Sequence, residues 1–93
     1  MAGKVSLKAV ISGRVQGVYF RDFTRRHALE LKVSGYVRNL PGGGVEVLAE
    51  GERSALEILL KQLEKGSPHA SVEHITVSWG KARGEENGFN IRY

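Results

Sequence analysis

The chain has 93 residues, of which 41% are hydrophobic and 26% charged, a composition typical of a small globular domain with one modest core. It contains no cysteine, which excludes disulfides, a cysteine nucleophile and a cysteine-bound zinc site, and it has no apolar run long enough to cross a bilayer. Because no signal peptide is recognisable at the N-terminus either, we expect residues 1–93 to form one cytoplasmic domain.

The net charge of +4 is unevenly distributed along the sequence. Residues 1–39 contain eight Lys and Arg against two acidic residues, whereas residues 40–93 contain six against eight. A basic half attracts small anions and accelerates their encounter with the protein. A solvated basic face and a nucleic-acid surface are the alternatives at this point.

The first three segments predict a strand, a loop and a helix. Apolar residues alternate from Val5 to Ser12, as in a strand with one buried face, and an amphipathic pattern from Asp22 to Lys32 predicts a helix. A glycine-containing loop before a helix gathers backbone N–H groups around an anion, helped by the helix dipole. Arg21, at the helix entrance, is electrostatically unfavourable there unless an anion binds beside it.

The loop matches neither of two common phosphate-binding motifs. A Walker loop requires Gly-x-x-x-x-Gly-Lys-[Ser/Thr], and a dinucleotide fingerprint requires Gly-x-Gly-x-x-Gly. Here the spacing is Gly13-x-x-x-Gly17, with Arg21 four residues further on. The prediction is therefore a phosphate-sized anion site of another type.

The remaining segments complete an alternating order of strands and helices. Strands are predicted at Tyr36 to Leu40, Val45 to Glu50, Val72 to Gly80 and Phe89 to Tyr93, and a second helix follows a capping box that begins at Ser54. Three consecutive glycines, 42–44, predict a conformationally loose hairpin turn after Asn39. The order predicts an α+β, ferredoxin-like βαββαβ fold, with an antiparallel sheet, both helices on one face and a short C-terminal strand.

Two motifs resemble the signatures of one family. Residues 13–21 read Gly-Arg-Val-Gln-Gly-Val-Tyr-Phe-Arg, and residues 35–41 read Gly-Tyr-Val-Arg-Asn-Leu-Pro, followed by glycines and Val-Glu-Val. Both resemble signatures of the acylphosphatase family, in the same order and at the same separation, and the resemblance covers nearly the whole chain. The sequence departs from the family at Gly42, where an aspartate is common.

The resemblance implies a metal-independent hydrolase that splits the carboxyl–phosphate bond of acyl phosphates into a carboxylate and inorganic phosphate. It assigns phosphate binding to Arg21 and positioning of the attacking water to Asn39. From the loop itself we predict that the backbone N–H groups of the residues before Arg21 complete the substrate-binding site: Gly13, Arg14, Val15, Gln16, Gly17, Val18 and Tyr19. We expect a monomer without cofactor, metal, nucleic-acid partner or membrane partner.

The residues fit this reaction on chemical grounds as well. The leaving group of an acyl phosphate is a carboxylate, which is stable at neutral pH, so no general acid is required. The protein needs only to bind the phosphoryl oxygens, neutralise their charge and place a water in line. Arg21 offers a planar set of charged donors, and the amide of Asn39 can both donate to and accept from a water.

Simpler roles compete with these assignments. Arg21 could pair with a surface carboxylate, Asn39 could be a turn residue, and Gly13 and Gly17 could serve only the loop conformation. Tyr19 and Phe20 are predicted to be packing residues. An anion-binding regulatory module without turnover also remains an alternative.

Other residue types carry weaker signals. An RNA-binding module of the same fold requires aromatic residues on its central strands, and the third strand has none. The charges of that strand, Glu46 and Glu50, are predicted to face solvent. His27 lies in an apolar stripe and is predicted to pack, while His69 and His74 lack the spacing of a metal site.

Overall fold

The computed structural model describes residues 3–93, which form five strands and two helices. In chain order they are β1 (Val5–Arg14), α1 (Phe20–Glu30), β2 (Ser34–Asn39), β3 (Val45–Gly51), α2 (Arg53–Lys65), β4 (Ser71–Lys81) and β5 (Phe89–Arg92). The predicted α+β class and the βαββαβ order with a short last strand are confirmed.

The strands form a single sheet in the order β4-β1-β3-β2-β5. The four longer strands pair antiparallel, and β5 adds to the edge parallel to β2, so that the complete sheet is mixed. The two helices contact each other as well as the sheet, which places both on the same face.

The core lies between the helices and this face of the sheet. The alternate residues of β1 that the sequence predicts to be buried, Leu7, Ala9 and Ile11, are fully buried. They pair across to three equally buried residues of β3, which are Ala49, Val47 and Val45. The leucine stripe of α2 covers them from above with Leu56, Leu59 and Leu63.

Glu46 and Glu50 lie on the opposite face of the sheet, and the prediction that they face solvent is wrong. They are only 6% and 5% exposed. Glu50 accepts hydrogen bonds from the backbone N–H groups of Arg83 and Gly84, at 2.8 and 3.0 Å. Because β3 is the central strand, side chains of the neighbouring strands contact Glu46, and the segment before β5 covers Glu50.

The helix boundaries also differ from the predictions. α2 begins at Arg53, with Glu52 as an extended N-cap whose side chain makes no capping hydrogen bond, so the capping box at Ser54 is wrong. α1 begins two residues before Asp22, because Phe20 is already buried in the core. Neither helix, within residues 3–93, is long and apolar enough to cross a membrane.

Candidate active site

A cavity of about 370 Å³ lies where the loop between β1 and α1 meets the end of β2 and the last strand. Its lining residues are Val15, Gly17, Tyr19, Phe20, Arg21, Asp22, Asn39, Ile91 and Tyr93. The cavity therefore brings together Arg21 and Asn39, the two side chains that the sequence predicts to bind phosphate and to position water.

Arg21 is the second residue of α1, and its side chain is half-buried. The guanidinium carbon lies 4.8 Å from the centre of the Tyr93 ring, within the range of a cation–π contact. Within residues 3–93 no carboxylate forms an ion pair with Arg21, and the neighbouring Asp22 pairs with Arg26 instead, at 3.4 Å. The alternative of a surface ion pair for Arg21 is therefore not found in this part of the chain.

Asn39 is the last residue of β2 and lies opposite Val45 of β3. Its Oδ1 atom is buried and accepts no hydrogen bond from any residue in the described part of the chain. An unpaired buried amide oxygen costs about 1–3 kcal/mol. Asn39 as a residue also lines the cavity, so its amide is fixed at the end of a strand beside the space open to a ligand.

The loop between β1 and α1 presents a series of backbone donors. Val15 and Val18 are 1% and 7% exposed and anchor the loop in the core, while Gly17 adopts a positive φ of 73°. The backbone N–H groups of residues 16–22 donate to no acceptor within residues 3–93. Together with the positive end of the α1 dipole, they form a site suited to an anion.

Four of the predicted loop residues lie outside the cavity lining. Gly13 and Arg14 belong to β1, and Val18 is in the core, where its carbonyl accepts a hydrogen bond from Ser67 at 3.1 Å. At Gly13, where φ is 121°, an added Cβ would lie 2.2 Å from the carbonyl oxygen of Ser71. This glycine is therefore required by the close approach of β1 and β4 at an irregularity in their register.

The fourth, Gln16, links the loop to the β2–β3 hairpin. Its Nε2 atom donates to the carbonyl oxygens of Leu40 and Gly44, both at 2.8 Å. These carbonyls lie at the two ends of the glycine-rich turn, which is also closed by a hydrogen bond from Leu40 N–H to the Gly44 carbonyl, at 2.8 Å. The turn that was predicted to be loose thus has a side-chain support next to Asn39.

The two aromatic residues at the start of α1 behave differently. Phe20 is 1% exposed, as predicted for a packing residue, whereas Tyr19 is 81% exposed, so that prediction is wrong for Tyr19. Tyr19 is the N-cap of α1 and adopts the left-handed conformation, with φ 61° and ψ 24°. This backbone reversal directs Phe20 into the core and leaves the Tyr19 ring at the cavity.

Sequence reasoning did not assign four lining residues to the site: Phe20, Asp22, Ile91 and Tyr93. The first two flank Arg21 in the sequence, whereas the last two are far from it. The alternation near the C-terminus predicts a strand but not its neighbour in the sheet. β5 lies parallel to β2, with Ile91 opposite Val37, and this pairing joins segments that are far apart in the sequence. No local signal could have placed Tyr93 beside Arg21.

The histidines lie outside the cavity lining. His27 is 30% exposed and its ring meets that of Phe23 edge-on, with 4.5 Å between centroids, which confirms its packing role. In the part of the chain that the structure describes, no group of three or more His, Cys, Asp or Glu residues could hold a metal ion.

The family model described as acylphosphatase matches residues 7–91. The acylphosphatase of Dehalococcoides mccartyi is 51% identical over 88 residues, which are 94% of this chain and 97% of that protein. The acylphosphatase of Thermus thermophilus is 49% identical over 85 residues, which are 91% and 96% of the two chains. The crystal structure of acylphosphatase from Bacillus subtilis superimposes with a TM-score of 0.92 at 36% identity, covering 96% of this chain and 99% of that one. The matched region includes the loop, β2 and most of β5, the elements that line the cavity.

Proposed function

The chain belongs to the acylphosphatase family and hydrolyses the carboxyl–phosphate bond of acyl phosphates, and from this premise we propose how its cavity performs the reaction. Arg21 and the free backbone N–H groups of the loop bind the phosphoryl group. Asn39 positions the attacking water. The observation that carries the proposal is that Arg21, Asn39 and the loop line the same cavity.

Phosphoryl binding rests on two kinds of donor. The guanidinium of Arg21 provides paired N–H groups that match two phosphoryl oxygens and stay charged at any ordinary pH. The N–H groups of residues 16–22 lack acceptors among residues 3–93 and lie at a helix N-terminus, where the dipole favours negative charge. These donors stabilise the charge on the equatorial oxygens in the transition state.

The water is oriented by Asn39. Asn39 lines the cavity, and its amide, which can donate and accept, hydrogen-bonds the water and orients a lone pair of the water oxygen toward phosphorus. The water attacks phosphorus, the bond from phosphorus to the bridging oxygen breaks, and that oxygen leaves as part of the carboxylate. The proton that the water loses passes to the phosphate product or to solvent.

The proposal extends to the wider context of the protein. The substrate is a small acyl phosphate and the product is inorganic phosphate, as the family implies. The monomeric state, the absence of nucleic-acid and membrane partners, the cytoplasmic location and the single domain over residues 1–93 stay predictions. So does the independence from metals and cofactors.

The test separates Arg21 from Asn39 by measuring turnover of benzoyl phosphate and inhibition by inorganic phosphate. In Arg21→Ala turnover and phosphate inhibition should both be lost, because a ligand of the phosphoryl group is removed. In Asn39→Ala phosphate should still inhibit, while kcat falls roughly 10²–10³-fold, the effect of removing one positioned polar group. Arg53→Ala removes the same charge from α2, away from the cavity, and should leave both quantities near the wild-type values.

Two results would overturn the assignment. If Asn39→Ala weakens phosphate inhibition as much as Arg21→Ala does, Asn39 is a phosphate ligand. If Asn39→Ala leaves kcat unchanged, another group positions the water. Circular dichroism on each variant establishes that the fold persists.

A further inference from the structure

The lining of the cavity divides into a polar part and an aromatic part. Arg21 and Asn39 form the polar part that the proposed function assigns to phosphate and water. Two tyrosines, Tyr19 and Tyr93, are 81% and 99% exposed and stand at its rim. Phosphate chemistry alone leaves this aromatic part of the cavity without a role.

Tyr19 is held at the rim by its backbone. The left-handed conformation, with φ 61°, turns its side chain away from the core while the next residue, Phe20, enters it. Within residues 3–93 the Tyr19 ring stacks on no aromatic ring and on no cation. The Tyr93 ring, in contrast, already lies 4.8 Å from the guanidinium of Arg21. The faces of Tyr19 are therefore available to a ligand.

The geometry of the substrate directs its acyl group to this rim. In an acyl phosphate a single oxygen separates phosphorus from the acyl carbon, so a phosphoryl group bound at Arg21 places the acyl group beside it. Tyr19 precedes Arg21 by two residues and lines the same cavity. An aromatic face favours planar and apolar groups through stacking and through burial of apolar surface.

Asp22 also lines the cavity. A negative charge there disfavours, by a small amount, an acyl group that carries its own carboxylate or phosphate, because like charges repel and solvent screens the repulsion of a side chain that is 58% exposed. Its ion pair with Arg26 is more than half exposed at both side chains, so it reduces this repulsion only in part. The rim is therefore suited to uncharged acyl groups.

We propose that Tyr19 is a specificity-determining residue, which binds the acyl group and favours acyl phosphates with an aromatic or bulky apolar acyl group over small aliphatic ones. This inference rests on the proposed function, since it requires the phosphoryl group to be bound at Arg21. It assigns a role to the side chain of Tyr19 that is distinct from the role of the loop N–H groups.

The test compares kcat/KM for benzoyl phosphate and acetyl phosphate. Tyr19→Asn removes the ring and keeps a residue that tolerates the left-handed conformation. The benzoyl-to-acetyl ratio should fall by about 3- to 10-fold, the scale of one aromatic contact, mainly through KM for benzoyl phosphate. Tyr19→Phe keeps the ring and should keep the wild-type ratio. Ile58→Ala is the control, because it removes an exposed apolar side chain on α2, away from the cavity.

An unchanged ratio in Tyr19→Asn would overturn the inference, since the ring would then not contact the acyl group. An equal fall in Tyr19→Phe or in Ile58→Ala would overturn it too, because the effect would not depend on the ring. Phosphate inhibition in Arg21→Ala tests the phosphoryl site separately. Hence a wrong phosphoryl site and a wrong acyl site give different results.

Discussion

At the scale of single residues, Arg21 shows how a cation can be stable in the first turn of a helix. The free N–H groups of this turn give the helix end a partial positive charge that opposes a guanidinium. The Tyr93 ring, 4.8 Å away, provides some compensation, and in the proposed mechanism a bound phosphoryl group provides more.

Arg21→Lys should therefore impair catalysis although it conserves the charge. Lysine offers neither the paired donors that match two phosphoryl oxygens nor the planar surface that stacks on Tyr93. We expect kcat/KM for benzoyl phosphate to fall at least ~10²-fold, as on removal of one transition-state donor. Near-normal steady-state kinetics would show instead that a point charge is sufficient.

The sequence predicts some residues of the site well and others poorly. Arg21 and Asn39 stand out because their positions in two long motifs match a family pattern, and the structure places both at one cavity. The exposure of Tyr19 depends on a positive φ that a non-glycine residue rarely adopts, so nothing in its local sequence indicated it. The burial of Glu46 depends on what covers the outer face of β3, which alternation does not specify.

At the scale of elements, the loop and the β2–β3 hairpin act as one unit because Gln16 joins them. The two hydrogen bonds from its amide, both 2.8 Å long, end on the carbonyls that flank the glycine turn. Asn39 immediately precedes one of these carbonyls, so Gln16 supports the backbone next to the amide that we propose to orient the water. We therefore propose that Gln16 acts as a positioning residue.

Gln16→Ala should lower kcat more than it weakens phosphate binding. We expect a loss of about 0.5–1.5 kcal/mol in the free energy of unfolding, because two half-buried carbonyls lose the amide donor while each keeps a backbone donor. Gln16→Glu should behave similarly, since a carboxylate cannot donate to a carbonyl. The measurements are kcat and phosphate inhibition, together with urea denaturation. A fall in stability with kcat unchanged would limit Gln16 to a structural role.

The boundaries of α2 and β1 differ from those that the local sequence pattern predicts. The capping box at Ser54 satisfies the sequence pattern, yet the N-cap of α2 is Glu52, two residues earlier, and it makes no side-chain capping hydrogen bond. β1 continues two residues beyond the predicted end at Ser12, because the glycine at position 13 lets it stay close to β4. At the end of β1 a tertiary contact with β4, which the local pattern does not contain, sets the boundary.

At the scale of the whole molecule, the outer face of the sheet contains a charged network that affects stability. Burial alone would raise the pKa of Glu46, but hydrogen bonds from Arg38 and Tyr36 and the charges of Arg38 and Lys8 lower the pKa below its ordinary value. The Arg38 Nε and Tyr36 hydroxyl groups donate to the carboxylate at 2.7 and 2.9 Å. Burial and the contact with Glu46 raise the pKa of Tyr36.

The lowered pKa of Glu46 has a definite sign for stability. Its ionised form is favoured in the folded state, so its stabilising contribution is complete above the unfolded pKa of about 4.3 and is lost as pH falls through the folded pKa. Glu46→Gln should lower the free energy of unfolding at pH 7 by about 1–3 kcal/mol and should flatten its decrease in acid. Denaturant titrations at several pH values measure both effects. If the free energy of unfolding decreased equally with falling pH in the wild type and in Glu46→Gln, the assignment would be contradicted.

The overall topology follows from the order of the elements, and it is the best predicted feature of the molecule. Alternation in the strands, apolar stripes in the helices and the right-handed crossover rule together favour one arrangement, and the structure has it. The position of β5 could not be predicted in this way, because a short strand at the edge of a sheet can pair in more than one way. The part of the site that β5 contributes was unpredictable for the same reason.

The pairing of β5 with β2 has a consequence for how the chain folds. It joins Gly35 to Phe89, and Tyr93 lies beside Arg21, so residues near position 90 complete a cavity that residues 15–22 begin. Contacts of such long sequence separation require large loops to close, which slows folding compared with helical bundles of similar size. In a refolding experiment, catalytic activity should therefore not return before the circular-dichroism signal of the strands is complete. A delay between the two signals would show that β5 docks last.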